Sequence, residues 1–334
     1  LLCENGSDPF VSSCQITANV ASGHGGGVSG QGISSPNLTN CEVKNNQSGL
    51  AGGGGFADGG SMQLTDCVVE QNRAGVEGGG LAFAGGSAPV IRSTIIRNNE
   101  CLTQGGGVYG LDSSVNLQQC EVIGNQSQSE GSGLSLWGAT SLPVVQNSLI
   151  AGNRTGGDGG GIYCENVSAT VINCTVVGNR ASSGAGICNY LGTSDVVNGL
   201  FWTNEPDEIC GFPDPNIAYS DVGLAAAAIW PGVGNVNSDP NFVAPGWWDP
   251  NGTGGDLSDD FWVEGDYRLI SGSVAEDTGD PNRSYDGQTD LDELPREFER
   301  VDMGAYELRR ELMVPSATYA TVQSAIDAAI DGDG

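Results

Sequence analysis

Apolar and polar positions along this chain keep step with one another over long distances. The phrases LTNCEVKNN (38–46), LTDCVVEQN (64–72), LQQCEVIGN (117–125) and VINCTVVGN (171–179) carry one pattern. Anchored on their cysteine position, the series runs Cys14, Cys41, Cys67, Thr94, Cys120, Ser148, Cys174, Gly199, seven steps over 185 residues and a period of about 26. Two places after each anchor stand Ile16, Val43, Val69, Ile96, Val122, Ile150, Val176 and Phe201. Three places before it stand Val11, Leu38, Leu64, Ile91, Leu117, Val145, Val171 and Val196. Five places after it stand Asn19, Asn46, Asn72, Asn99, Asn125, Asn153, Asn179 and Asn204, without exception.

Side chains alternate along a strand, so the anchor and the residue two beyond it share a face. The apolar column three before the anchor is out of phase with that face, which predicts a bend between two short strands. The asparagine falls where the strand ends. There it can take unusual backbone angles, and its amide can bond the identical amide one coil away. A glycine run then leads to the next unit. A unit of this size cannot bury its own core, but units stacked about 4.8 Å apart bury a continuous one.

The runs GGGLAF, GGGVYG and GGGIYC, each followed by a strand ending in Asn, resemble the repeats of polymorphic outer-membrane proteins and other pectin-lyase-like proteins. The resemblance covers residues 1–205. It implies an all-β fold, a right-handed parallel β-helix of about 26-residue coils, with irregular C-terminal coils and a short C-terminal α-helix. It implies no particular activity, since such solenoids include lyases, hydrolases, adhesins and passive stalks.

Three regions follow: regular coils over 1–205, an irregular closing segment over 206–308, and a linker with an amphipathic helix over 309–334. The closing segment is similar to the end of secreted bacterial β-helix proteins. Its loop bearing Trp247, Trp248, Phe261 and Trp262 is expected to pack over the coil end. In the tail, Ala320, Val322, Ile326 and Ile330 recur at helical spacing. Such a helix ordinarily precedes the first coil of these solenoids and caps it. Here the first coil opens partway round, with Leu1, Leu2, Phe10 and Val11 at its edge. The helix is therefore expected either to belong to a following domain of a longer chain or to dock on the open coil of another copy, head to tail.

Composition narrows the partners. Asp and Glu number 41 against 12 Lys and Arg, a formal charge of -29, which disfavours nucleic acid and anionic membranes. The chain has no apolar run long enough for a transmembrane helix and no signal-peptide pattern at its start. It opens without Met, as a processed product or segment would. Ten cysteines fit an oxidising, extracellular or cell-surface setting.

Candidate chemistry is sparse. The one histidine, His24 in SGHGGG, occupies a turn, and the clustered aspartates and basic motif of polygalacturonases are missing. A lyase needs a base beside calcium-binding carboxylates, yet the chain has a single lysine, Lys44, and no acidic cluster recurs across repeats. No catalytic residue and no cofactor are assigned; Asp286, Asp290 and Asp292 are read first as a solvated acidic loop, with a calcium site through hard oxygen donors as the alternative. Cys164 and Cys188, about one coil apart, are the expected disulfide. Nine Asn-x-Ser/Thr sequons occur. Those at Asn46, Asn125 and Asn153 coincide with the ladder, and Asn5, Asn37, Asn166, Asn251 and Asn282 are the better loop candidates for glycans. The function these readings favour is a non-catalytic extracellular stalk, adhesin or fibre subunit. The alternative is a polysaccharide-binding or polysaccharide-degrading protein using the solenoid flank and the Trp loop.

Overall fold

The computed structural model describes residues 1–225, 228–254, 259–296 and 300–308. Among these the chain winds into a right-handed parallel β-solenoid. Three sheets have nine strands each: sheet A from Leu2–Cys3 to Ile209–Phe212, sheet B from Phe10–Ser12 to Asn216–Ala218, and sheet C from Gln15–Thr17 to Asp221–Val222. A fourth, sheet D, has six two-residue strands from Val20–Ala21 to Arg154–Thr155. The sheets run past residue 205 by one shorter coil. The tail helix expected over 309–334 lies outside the described residues.

Register follows the sequence columns. Leu64 pairs with Leu38 and Ile91, and Val69 with Val43 and Ile96. All these residues are buried in one continuous core. The phase break between columns is resolved by a left-handed residue just before each anchor: Ser13, Asn40, Asp66, Ser93, Gln119, Asn147, Asn173 and Asn198 have φ from 45° to 56°. One such residue between strands turns both apolar columns inward. A second left-handed corner precedes each ladder asparagine, at Ala18, Asn45, Gln71, Asn98, Gly124, Gly152, Gly178 and Thr203. The unusual angle expected of the ladder asparagines thus belongs to the residue before them. The glycine run serves close approach: a Cβ on Gly53 would lie 2.3 Å from the carbonyl oxygen of Gly79 in the next coil.

The asparagine side chains form the expected ladder. The Asn99 Oδ1 accepts both the backbone N–H and the amide of Asn72, each at 3.0 Å. Its Nδ2 donates to Asn125 Oδ1 and to the Val69 carbonyl, both at 2.9 Å. Both donors and both acceptor positions of a buried amide are therefore filled. At Asn204 no further asparagine follows. The Glu208 carboxylate takes its place, accepting from the Asn204 backbone and side chain. Burial pushes the Glu208 carboxyl up to about 8.

The anchor column is a second ladder. Cys120 Sγ donates to the Gln118 carbonyl at 3.2 Å, and Thr94 and Ser148 hydroxyls make the same bond at 2.7 Å. Each also accepts the anchor N–H of the coil before, as in Cys120 to Ser148 Oγ at 3.1 Å. Thiol and hydroxyl are interchangeable here because the position asks for one small donor-acceptor. Cys14, on the first coil, remains exposed.

Beyond the sheets, Leu224 and Trp230 close the end of the core. The chain then turns back along the outer face of sheet C. That face is polar early (Glu42, Lys44, Glu70, Arg97, Glu121) and apolar late (Ile123, Leu149, Ala151, Val177, Trp202). Phe242, Trp262, Tyr267, Ala305 and Tyr306 cover the apolar part. Trp262 rests on the bare corners of Gly152 and Gly178, where added Cβ atoms would fall 2.1 and 2.0 Å from the indole. Trp248 donates to the Gly178 carbonyl at 2.8 Å and lies 4.6 Å from the Arg180 guanidinium. These tryptophans therefore pack on the flank, not over the coil end as expected, because the apolar surface left open by the solenoid is there. Trp247 and Phe261 stay exposed.

Candidate functional site

The site expectations divide. Leu1, Leu2 and Phe10 are exposed and Val11 half-buried on the first coil, whereas Ala320, Val322, Ile326 and Ile330 lie outside the described residues. His24 is an exposed turn residue stacked on Phe56 at 4.3 Å. Asn5, Asn166, Asn251 and Asn282 are exposed and Asn37 is half-buried in a strand, while Asn46, Asn125 and Asn153 are buried in the ladder.

Two expectations are corrected. The disulfide joins Cys188 to Cys210, not to Cys164. Cys164 registers with Asn189 and points into the core, and Cys188 registers with Tyr163 on one side and Cys210 on the other. A separation of 24 missed the register by one residue, which in a strand means the opposite face. The calcium cluster does not assemble either. Asp290 accepts the backbone N–H groups of Asp292, Leu294 and Glu307 at 2.7 to 2.9 Å. Asp292 holds Arg268 through two bonds of 2.6 Å, and Asp286 is exposed. Among the described residues no three His, Cys, Asp or Glu stand together as a metal-ligand group.

What the sequence reading did not anticipate is a cleft of about 710 Å³ at the closing end of sheet B. Thr170, Asp195 and Asn216 stack in register on its floor, with Asn216 Nδ2 donating to Asp195 Oδ1 at 2.9 Å. Asp214 borders one side. Trp230, half-buried against the core, lines another with Pro231 and Val233. Asn235 fixes that wall, donating to the Ile217 and Trp230 carbonyls at 2.9 and 3.2 Å and accepting the Ser220 N–H at 3.1 Å.

Arg283 faces these groups from the returning segment. Its loop is held by a second asparagine row: Asn173 donates to Asn147 at 3.0 Å and Asn198 to Asn173 at 2.8 Å. Asn198 then donates to the Tyr285 hydroxyl at 2.6 Å and accepts the Asp280 N–H at 2.8 Å. Arg180, Arg268 and Arg296 each hold a carboxylate at 2.6 Å, but Arg283 has none within ion-pair distance among the described residues. The signal for this row was in the sequence, as Asn147, Asn173 and Asn198 all precede an anchor. The cleft itself was not, since its walls come from segments about 90 residues apart.

Fold and site together define a right-handed parallel β-helix protein with a polar, tryptophan-lined cleft at its closing end. A family model described as "Right handed beta helix region" matches residues 74–201. Among solved structures the chain is similar to one titled "Crystal structure of pectate lyase Pel9A", at 15% identity and a TM-score of 0.47, over 83% of this chain and 72% of that one. No curated protein matches. No helix among the described residues is long and apolar enough to cross a membrane.

Proposed function

We propose that the protein is an extracellular saccharide-binding β-helix whose binding site is the cleft at the end of sheet B. The observation that carries this is the set of side chains at that cleft. An indole offers an apolar face to the C–H surface of a sugar. Asp195, Asp214, Asn216 and Arg283 offer planar hydrogen-bonding groups suited to vicinal hydroxyls. A few fixed polar groups around one aromatic wall are the usual make-up of a small-molecule site. Two carboxylates beside one guanidinium favour an uncharged sugar over a uronate. The Cys188–Cys210 disulfide fits an oxidising compartment. A direct catalytic role is not assigned.

Titration calorimetry with neutral and acidic oligosaccharides tests the reading. Binding of a neutral oligosaccharide, weakened about tenfold or more by Arg283→Ala and by Trp230→Phe, is the expected result. Absence of binding to every saccharide, or binding untouched by both substitutions, would sink it. An assay for new reducing ends and for unsaturated products on the same ligands separates binding from cleavage.

A second reading keeps the solenoid as a structural element. Its first coil leaves Leu2 and Phe10 60% and 68% exposed, and this edge is what a neighbouring β-helical coil would cover. End-to-end contact through it predicts rods longer than one solenoid in electron micrographs of the purified protein.

A further inference from the structure

On the outer face of sheet A, coils five to nine present two columns. The inner one runs Tyr109, Ser135, Tyr163, Cys188 and Cys210, and the outer one Leu111, Trp137, Glu165, Tyr190 and Phe212, each in register with the next. The outer column is an aromatic ridge at the corner that leads into sheet B. Leu111 is 41% exposed, Tyr190 47% and Phe212 76%, and Trp137 is half-buried. The ridge is stiff. Trp137 lies 5.7 Å from the Tyr163 ring and donates to Ser135 Oγ at 2.9 Å, and the Tyr163 hydroxyl donates to Glu165 at 2.8 Å. The Cys188–Cys210 disulfide clamps together the two coils that carry Tyr190 and Phe212.

Three features indicate what would lie on it. First, the spacing is periodic along the axis, with rings one or two strand steps apart, about 5 to 10 Å. That suits a chain of repeating units better than a globular surface. Second, the ridge is electronegative. Glu165 stands between Trp137 and Tyr190, and Asp112 follows Leu111. Burial foremost, then the charges of Glu77, Asp112 and Glu165, pushes the Tyr109 hydroxyl up to about 12. Third, the ridge continues toward the cleft: Phe212 ends its sheet A strand, and Asp214, two residues on, lies on the turn that leads into sheet B.

We propose that this ridge is a polysaccharide platform, on which an uncharged or cationic glycan lies parallel to the solenoid axis with its chain continuing into the cleft. The inference rests on the saccharide reading and adds that the ligand is a polymer and not a polyanion. Glu165 between the rings and Asp112 at the end of the ridge would repel a polyuronate or a nucleic acid, and they suit hydroxyl or ammonium groups. Glu165 also interrupts the apolar column between Trp137 and Tyr190, unlike the contiguous patch of a protein interface.

The test compares short oligosaccharides with soluble polymers of three kinds, a neutral β-glucan, chitosan and polygalacturonate, by calorimetry and affinity electrophoresis. Tyr190→Ala with Phe212→Ala removes exposed rings and leaves the core intact. The expected result is tenfold or more weaker binding of the β-glucan or chitosan, with oligosaccharide binding unchanged. Arg283→Ala should do the reverse, weakening the oligosaccharide most. Unchanged polymer affinity in the ridge variant overturns the platform while the cleft reading stands. Polymer binding lost in the ridge variant, with oligosaccharide binding indifferent to Arg283→Ala, supports the ridge and overturns the cleft. Polygalacturonate as the tightest ligand overturns the charge argument. Sedimentation of the unliganded protein as a dimer, reverting to monomer on Phe212→Ala, would make the ridge a self-contact and overturn the proposal.

Discussion

A ladder asparagine here works as a complete hydrogen-bonding unit. Removing one from the middle, Asn125→Ala, leaves the Asn99 backbone N–H and amide without their shared acceptor inside the core. Each orphaned buried group costs about 1–3 kcal/mol, so a loss of roughly 3 kcal/mol is expected in urea unfolding. Asn19→Ala, on the exposed first coil, should cost far less, because water replaces what is lost. Glu208 is the rung where chemistry changes. Its site favours the neutral carboxyl, so folding favours the protonated form. That contribution is fully present below the ordinary glutamate value of 4.5 and is lost as pH rises to about 8. Asp221, fully buried and pushed up to about 7, acts in the same direction. Glu208→Gln supplies an amide oxygen that accepts as the asparagines do. The expected outcome is a melting temperature above that of the parent at pH 9, with the difference shrinking toward pH 5. A variant that tracks the parent across this range would show that Glu208 does not govern it.

At the scale of elements, the returning segment is held by surface that the solenoid supplies only in its later coils. The corner carrying Gly178 holds Asn45 and Asn98 in earlier coils at the same left-handed angle. Asparagine is therefore compatible with the backbone there, and Gly178→Asn isolates the clash with Trp262. It should destabilise by about 1–3 kcal/mol and expose the Trp247–Asp249 and Phe261–Val263 hairpin to protease. Adding Trp262→Ala should recover part of the loss, a coupling that a double-mutant cycle reads directly. The disulfide acts on the last coils alone. It spans 22 residues, and opening a loop of that size costs about 3 kcal/mol in the chain-entropy account. Cys188→Ser should lower the unfolding free energy in urea by that much, and reductant should lower the parent and leave the variant unmoved.

For the whole molecule, a charge of -29 on a narrow rod means that self-repulsion opposes folding. Raising salt from about 0.01 to 0.15 M shortens the screening length from about 30 to about 8 Å. The melting temperature should therefore rise with salt. A fall would mean that pairs such as Arg180–Asp260 and Arg268–Asp292 outweigh the repulsion.

The coil length, the three columns and the ladder were legible in the sequence because each coil contacts its copy one period away. Sequence spacing and spatial neighbourhood are then nearly the same thing. The same logic failed by a single residue at Cys188: the coil before it registers it with Tyr163 and not Cys164, and the shorter coil after it, a separation of 22, sets Cys210 opposite. It could not reach the cleft or the aspartates of the closing segment at all. Asp290 and Asp292 look like a metal cluster in one dimension, and the fold spends them on backbone N–H groups and Arg268. Arg283 meets Asp195 and Trp230 only because the chain folds back across sheet C and anchors on Asn198. Repetition lets local sequence determine a solenoid, whereas a site built between a repeat and a non-repeating return exists only once the two have packed.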